Sequence, residues 1–185
     1  MRQFVIIVAA TLLAGTAHAA EVGGVKLDDK VSVGGQELVL NGAGIRSRAI
    51  FKVYVGSLYL PAKATTLAAV LEKSPRRVQL NILRTLSADQ LIDALSDGIK
   101  ENSTPAEVAA IKVQMDQMVT TMKAFNEVKE KDVVMLDFVD GATRIGLNGT
   151  AKGTIAGDAF NKALMRIWLG EQPVQSDLKR AMLGS

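Results

Sequence analysis

The amino-acid sequence predicts an α+β fold, an antiparallel β-sheet with helices packed on one face. Short apolar runs separated by turn residues, which are typical of strands, fill the first part of the chain and return near its end. Between them, apolar residues recur every three or four positions, as in amphipathic helices. Strands on both sides of a helical middle favour separate layers over alternating strand–helix units.

The first nineteen residues are predicted to be a signal peptide. They contain one basic residue, Arg2, an apolar core over 4–14 and a small-x-small end at 17–19. That core is shorter than the roughly 20 residues that a membrane span needs, and no later stretch is longer. We therefore expect cleavage before Ala20, a single domain over 20–185, and a periplasmic or secreted protein without a transmembrane segment.

The composition argues against several kinds of chemistry. The only histidine, His18, lies in the predicted signal peptide, and the chain has no cysteine. Histidine acid–base catalysis, thiol nucleophiles and common transition-metal sites are therefore not expected, and we predict no metal and no cofactor. The 22 basic and 19 acidic residues form no run of one sign, so nucleic acid is not an expected partner.

The first elements are predicted to be strands. Two short β-rich runs flank Gly34-Gly35, which is the spacing of a hairpin with a two-residue turn. A glycine-rich turn over 42–48 is expected to lead into a long strand over 50–60. Both faces of that strand are largely apolar, which predicts burial within the sheet, and Pro61 ends it.

Two capping boxes mark the helical middle of the chain. Ser87 with Gln90, and Thr104 with Glu107, each place a hydroxyl three residues before an amide or carboxylate. In this arrangement each side chain can bind the other residue's backbone N–H at the start of a helix. We predict helices over 88–100 and 105–125.

The other elements are predicted from apolar periodicity. Apolar residues at every second position indicate strands, and the sequence Asp140-Gly141 between two such runs indicates a turn. Phe160, Leu164 and Trp168 have helical spacing. The predicted elements are a helix over 65–73, strands over 77–83, 132–139 and 143–150, and helices over 158–169 and 177–182.

Arg46 is the candidate for binding an anion. A carboxylate in an apolar cleft needs a partner whose charge persists and whose planar fork can bind both oxygens, as a guanidinium does. Tyr54 could donate a further hydrogen bond from the neighbouring strand, because a phenol stays protonated at neutral pH. The alternative is that Arg46 and Arg48 are solvated and Tyr54 binds a backbone acceptor.

The predicted helix over 105–125 carries a methionine stripe at Met115, Met118 and Met122. Methionine is flexible and polarizable, so the stripe is suited to a pocket for acyl chains or ring systems. Ordinary core packing predicts the same stripe and is the commoner reason for it. We keep the three methionines as candidate ligand-binding residues.

Four blocks of the sequence resemble, in the same order, blocks of the chalcone isomerase fold family. They are GAGIR, FKVYVGSLYL, LNILRTLSADQLIDALSDGI and AFNKALMRIWLGEQPVQSDLKRAMLG. The resemblance covers most of the chain and is greatest to bacterial, secreted chalcone-isomerase-like proteins. It implies an open-faced β-sandwich, in which an antiparallel sheet carries helices on one face.

The resemblance also implies the position of a site. Plant chalcone isomerases close a flavanone ring with an arginine, a strand threonine, and a tyrosine, a lysine and an asparagine on a helix. Block for block, these positions are Arg46, Tyr54, Leu91, Ala94 and Gly98 here. The three helix positions thus lack the polar groups that order substrate and water, which argues against cyclase activity.

Non-catalytic members of the same fold are known to hold a fatty-acid carboxylate with an arginine and a tyrosine, which Arg46 and Tyr54 match. The small or apolar residues on the helix would make the cleft wall apolar and roomy. Our first hypothesis is therefore a binding protein for a fatty acid or a similar amphipathic, polyketide-like carboxylate. Its head group would lie at Arg46 and Tyr54, and its tail near the methionine stripe.

Two other hypotheses stay open at this stage. The protein could be an isomerase or intramolecular lyase of this fold, with Tyr54 as general acid or base and Arg46 stabilising an oxyanion. It could instead be a structural or interaction domain in which Arg46 is paired with an internal carboxylate such as Asp89 or Asp93. Protein partners and oligomeric state are not predicted.

Overall fold

The computed structural model describes residues 20–185, so the predicted signal peptide lies outside the described residues. In chain order the strands are β1 (Ala20–Val22), β2 (Val25–Leu27), β3 (Lys30–Val33), β4 (Gln36–Arg48), β5 (Phe51–Leu60), β6 (Arg76–Ile82), β7 (Leu86–Ser87), β8 (Glu127–Val128), β9 (Val133–Val139), β10 (Ala142–Leu147) and β11 (Thr150–Ala156). The helices are α1 (Leu67–Leu71), α2 (Ala88–Glu101), α3 (Pro105–Ala110), α4 (Lys112–Lys123), α5 (Asp158–Leu169) and α6 (Ser176–Met182).

The main sheet has seven strands in the order β11-β10-β9-β6-β5-β4-β3. Every neighbouring pair is antiparallel. Two small two-stranded sheets, the β1-β2 hairpin and the β7-β8 pair that encloses α2, α3 and α4, are separate from it. The predicted α+β fold, an antiparallel sheet with helices packed against it, is confirmed.

The strand over 50–60 is buried on both faces, as its sequence predicts. Leu58 and Leu60 belong to the large core between sheet and helices, together with Trp168 and Phe160 of α5. Tyr59, which points the other way, belongs to a smaller cluster on the opposite face. Side chains alternate between the two faces of a strand, so β5 ties both clusters together.

The predicted turn over 42–48 is wrong, because β4 continues through it to Arg48 and the chain reverses at 49–50 instead. The glycines serve close packing rather than a turn. A Cβ atom on Gly44 would lie 2.7 Å from the Cβ of Ala181, and one on Gly42 would overlap the Ala181 carbonyl. Their lack of side chains lets α6 lie directly on the backbone of β4.

The helix predicted over 105–125 is two helices, α3 and α4, separated by Ile111 (φ −107°). The apolar spacing continues across this single residue, so the sequence pattern does not reveal the interruption. Both predicted capping boxes are present, at the starts of α2 and α3. Helix α5 has the predicted bounds.

The last strand of the sheet is also a difference from the sequence prediction. The strand predicted over 143–150 ends at Leu147, and β11 follows a turn at Asn148-Gly149, where both residues have positive φ (52° and 79°). An Asn-Gly pair between two β-rich runs is a hairpin signal. The β1-β2 hairpin before Lys30 is likewise absent from the prediction.

Candidate functional site

Arg46 and Tyr54 are direct cross-strand partners on β4 and β5. Opposite residues of an antiparallel pair project from the same face of a sheet. Tyr54 belongs to the core between sheet and helices, so Arg46 also lies on the helix side. The register shifts immediately beyond the pair, between Arg46 and Ser47. Such β-bulges are over-represented beside functional sites, because they re-aim side chains.

The Tyr54 hydroxyl is buried and held by Trp168. The Trp168 Nε1 atom donates to Tyr54 Oη over 3.0 Å, and both side chains lie in the core. Burial raises the pKa of Tyr54 to about 12, although the bond from Trp168 and the charge of Arg46 favour the phenolate. Tyr54 is therefore a neutral phenol whose own O–H has no hydrogen-bond acceptor among residues 20–185.

The Arg46 side chain is half-buried rather than free in solvent. Its Nη1 atom donates to the Ser47 carbonyl and, over 3.4 Å, to Oε1 of Gln175. Within residues 20–185 no carboxylate forms an ion pair with it. Asp89 and Asp93, proposed above as internal partners, are exposed and do not pair with Arg46. The cation therefore meets only neutral protein oxygens.

Gln175 covers the Arg46 end of β4 and was not identified from the sequence. It is the residue just before α6, and its Oε1 accepts from the Ser47 backbone N–H over 2.9 Å. Its Nε2 donates to the Ile45 carbonyl over 3.3 Å. The only signal in the sequence is its place before a predicted helix. Gln175 brings a neutral amide to the position where Arg46 could bind an anion.

The three helix positions implied by the family resemblance differ in their surroundings. Leu91 is buried in the core, whereas Ala94 is exposed and does not face the core. A Cβ atom on Gly98 would lie 2.8 Å from Cγ2 of Ile167, so α2 and α5 touch there. The expected roomy cleft wall is therefore corrected: Gly98 serves close helix packing, and a side chain at that position would have to displace Ile167.

The methionine stripe belongs to the core in this structure. Met118 and Met122 are fully buried in the same cluster as Tyr54 and Leu91, and Met115 packs against it partly exposed. Ordinary packing therefore accounts for Met118 and Met122 in the structure as it stands. A role for the three methionines in ligand binding stays a prediction.

Two pockets of residues 20–185 lie away from this site. One of about 440 Å³ separates α4 from β11, and one of about 380 Å³ lies between α3 and α5. Neither is lined by Arg46, Tyr54, Leu91 or Met118. Tyr54, Leu91 and Met118 are buried between sheet and helices, so a bound tail would have to open this layer.

The described residues contain no group of three or more acidic or histidine side chains that could hold a metal ion. None of the helices found between residues 20 and 185 has the length and apolarity needed to cross a membrane. With its pKa raised to about 12, Tyr54 would be a poor general base at neutral pH. It is better suited to donating a hydrogen bond.

Comparison with known proteins gives a family and a fold. A family model described as chalcone isomerase-like matches residues 19–184. No curated protein matches the sequence. Among solved structures, a fatty-acid binding protein of Arabidopsis thaliana matches with a TM-score of 0.65 and 11% sequence identity. The match covers 86% of this chain and 92% of that chain, and at this identity it shows a shared fold.

Proposed function

Because this chain belongs to the chalcone isomerase-like family, we propose that it is a non-catalytic member that binds a fatty acid or a similar amphipathic carboxylate. The observation that carries the proposal is the pairing of Arg46 with Tyr54. A half-buried guanidinium without a carboxylate partner in residues 20–185 lies opposite a neutral phenol without an acceptor. Together they offer the donors that a carboxylate requires.

The carboxylate head group of the ligand would displace the side-chain amide of Gln175. The Gln175 Oε1 atom already accepts from both the Ser47 N–H and Arg46. A ligand carboxylate at that place would accept the same two bonds, and charge-assisted bonds are roughly twice as strong as neutral ones. The free O–H of Tyr54 would add a third donor. Exchange of the amide for the carboxylate is therefore favourable at the head group.

The tail would enter the layer between sheet and helices, toward Met115, Met118 and Met122. Methionine side chains repack more readily than branched ones, which lowers the cost of opening this layer. Each buried methylene contributes roughly 0.8 kcal/mol, so ten contribute on the order of 8 kcal/mol to offset that cost. Affinity should accordingly rise with chain length until the opened layer is filled.

The same features argue against catalysis. The positions of the plant tyrosine, lysine and asparagine are Leu91, Ala94 and Gly98, and a side chain at Gly98 would have to displace Ile167. Tyr54 does not ionise near neutral pH. The periplasm, or the medium after secretion, is the proposed location, and its support is the signal-like sequence at 1–19.

Fatty-acid titration of wild type, Arg46→Gln and Arg48→Gln tests the head-group assignment. Arg48 is the exposed neighbour on the same strand and provides the matched control. We expect Arg46→Gln to bind at least about tenfold more weakly, since a hydrogen bond to a charged group is worth ~1.5–3 kcal/mol. Arg48→Gln should bind as wild type does. Equal affinities for wild type and Arg46→Gln would remove Arg46 from the site.

A chalcone cyclisation assay tests the enzyme alternative. We expect no rate above buffer, because the groups that order substrate and water are absent. A rate that is lost in Tyr54→Phe would replace the binding proposal with an isomerase of this fold. Native mass spectrometry of the purified protein, before any lipid is added, would show whether a ligand copurifies.

A further inference from the structure

The tip of the β4-β5 hairpin is apolar and exposed. Its two-residue loop is Ala49-Ile50, and Phe51 follows as the first residue of β5. Ile50 is 88% exposed and Phe51 53% exposed; among the residues described, the only other large exposed hydrophobic side chain is Val113. Hairpin loops usually carry glycine, asparagine or aspartate. Two adjacent large apolar side chains at a loop tip indicate a binding surface.

Three cations surround these apolar side chains. Arg48 and Lys52 flank the loop, and the guanidinium of Arg84 lies over the Phe51 ring, 4.6 Å from its centroid. None of the three forms an ion pair within residues 20–185. The stretch over 38–71 contains no acidic residue. The exposed apolar side chains of the tip are thus surrounded by three positive side chains, Arg48, Lys52 and Arg84, which we call the basic collar.

Two of the acidic groups at this end of the sheet, Asp132 and Glu127, are already bound. Asp132, next to the end of β6, accepts from Asn148 Nδ2 over 2.8 Å and from the Lys129 N–H over 2.7 Å. Glu127 lies 3.5 Å from the Lys129 ammonium. The charge of the collar is therefore not cancelled by these carboxylates, whose charges are engaged locally.

We propose that this hairpin tip docks the protein on an anionic phospholipid surface. Ile50 and Phe51 insert among the acyl chains, and Arg48, Lys52 and Arg84 bind lipid phosphates. Apolar side chains with a basic collar are the combination by which interfacial segments bind anionic membranes. A second copy of the chain is a poor occupant, because joining two tips would bring six cations together.

Docking would also place the proposed ligand site close to the membrane. Arg46 is two residues from Arg48 on the same strand, so an amphipathic carboxylate could pass between the bilayer and Arg46 along a short path. This last step rests on the proposed function. The docking itself does not, because it depends only on the charge and exposure of the tip.

Vesicle binding tests the docking proposal. The protein is expressed with its own N-terminal segment and purified as the host leaves it, and its N-terminus is determined by mass spectrometry. Binding of the wild-type protein is measured by flotation with two kinds of vesicle, phosphatidylcholine alone and phosphatidylcholine mixed with phosphatidylglycerol. We expect binding only to the anionic vesicles, and weaker binding as salt is raised, because salt screens the collar.

Variants separate the apolar and charged parts of the tip. Ile50→Ser should weaken binding on the order of tenfold, from the lost burial of one large side chain. Arg48→Gln and Lys52→Gln should each weaken it about fivefold. The controls are Val113→Ser, which removes the third exposed apolar side chain, and Lys162→Gln on α5, an exposed lysine with no ion pair in residues 20–185.

Insertion has its own readout. Ile50→Trp should emit at shorter wavelength when anionic vesicles are added, because the new indole leaves water, whereas Trp168 is already buried. Equal flotation of wild type and Ile50→Ser, or equal binding to neutral and anionic vesicles, would overturn the proposal. Concentration-dependent dimers that Ile50→Ser abolishes, without vesicle binding, would assign the tip to a second copy instead.

Failure of docking and failure of ligand binding are distinguishable. Ile50→Ser leaves Arg46 and Tyr54 intact, so its fatty-acid affinity in solution should equal that of wild type. Arg46→Gln should lose fatty-acid affinity but keep flotation within about twofold, because Arg46 is half-buried and outside the collar. If both variants lost both properties, the two sites would be one, and separate docking would be contradicted.

Discussion

Strand β5 carries two tyrosines, and each lies directly opposite an arginine. Tyr54 faces Arg46 on β4, and Tyr59 faces Arg77 on β6. Burial raises the pKa of both tyrosines, and in both cases the nearby arginine opposes the shift. The arginines differ in what they bind, because Arg77 has a carboxylate partner and Arg46 has none in the part of the chain described.

Arg77 and Asp137 form a two-pronged ion pair across the sheet. Arg77 Nε donates to Asp137 Oδ1 over 2.5 Å, and Nη2 donates to Oδ2 over 2.8 Å. The two are also cross-strand partners on β6 and β9. This fold can therefore supply a carboxylate to a cation on a central strand, as Asp137 does for Arg77. That it supplies only a glutamine amide at Arg46 is what favours an external anion there.

The largest expected effect on stability comes from breaking the Arg77–Asp137 ion pair. Asp137→Ala should lower the free energy of unfolding by about 3 kcal/mol, because it leaves a largely buried guanidinium unpaired. Urea unfolding measures the change. The exposed pair Lys112–Asp116 is the control, and Asp116→Ala should cost less than about 1 kcal/mol. Equal losses of stability in Asp137→Ala and Asp116→Ala would mean that the Arg77–Asp137 pair contributes no more than an exposed ion pair.

The next largest expected effect is on the pH dependence of stability, through the ionisation of Tyr54. The folded pKa of Tyr54, about 12, exceeds its ordinary value of 10.0, so the folded state keeps a proton that the unfolded state loses. The stabilisation is complete below pH 10.0 and is lost as pH rises toward about 12, by about 1.4 kcal/mol per pH unit.

Urea midpoints of wild type and Tyr54→Phe, measured across that window, isolate this contribution. The wild-type midpoint should fall more steeply with pH, because Tyr54→Phe has no proton to lose at that position. Tyr59→Phe should keep the part of the slope that belongs to Tyr54. Parallel curves for wild type and Tyr54→Phe would show that the Tyr54 hydroxyl is open to solvent.

The sequence predicted those elements whose signals are local. Ser87 and Gln90 are three residues apart, and the helix they begin is where the prediction placed it. The twofold period of 77–83 likewise identified β6, because alternation records burial on one face directly. These features need no knowledge of which segments meet in the folded protein.

The parts that the sequence did not reveal depend on distant contacts. Gly42 and Gly44 looked like a turn because the helix that requires them, α6, follows more than a hundred residues later. Gln175 reaches Ser47 across the same separation. Arg46 and Tyr54 were placed together because the predicted turn of Arg46 leads into the strand of Tyr54 and because the family resemblance pairs them. The Arg77–Asp137 pair needed the register of β6 against β9.

The smallest expected change in stability comes from making the Arg46 end resemble the Arg77 end. Gln175→Glu would place an internal carboxylate beside Arg46. It gains a partly buried ion pair but loses the bond from Nε2 to the Ile45 carbonyl, so the free energy of unfolding should change by less than about 1 kcal/mol.

Its effect on ligand affinity should be much larger than its effect on stability. A built-in carboxylate competes with the head group for Arg46 and repels it, so fatty-acid affinity should fall by about tenfold or more. Gln172→Glu, which adds the same charge at an exposed position three residues earlier, should bind like wild type. Isothermal titration calorimetry with a fatty acid measures the affinity of both variants. Undiminished affinity in Gln175→Glu would mean that the carboxylate binds elsewhere, and that Gln175 is the permanent partner of Arg46 as Asp137 is of Arg77.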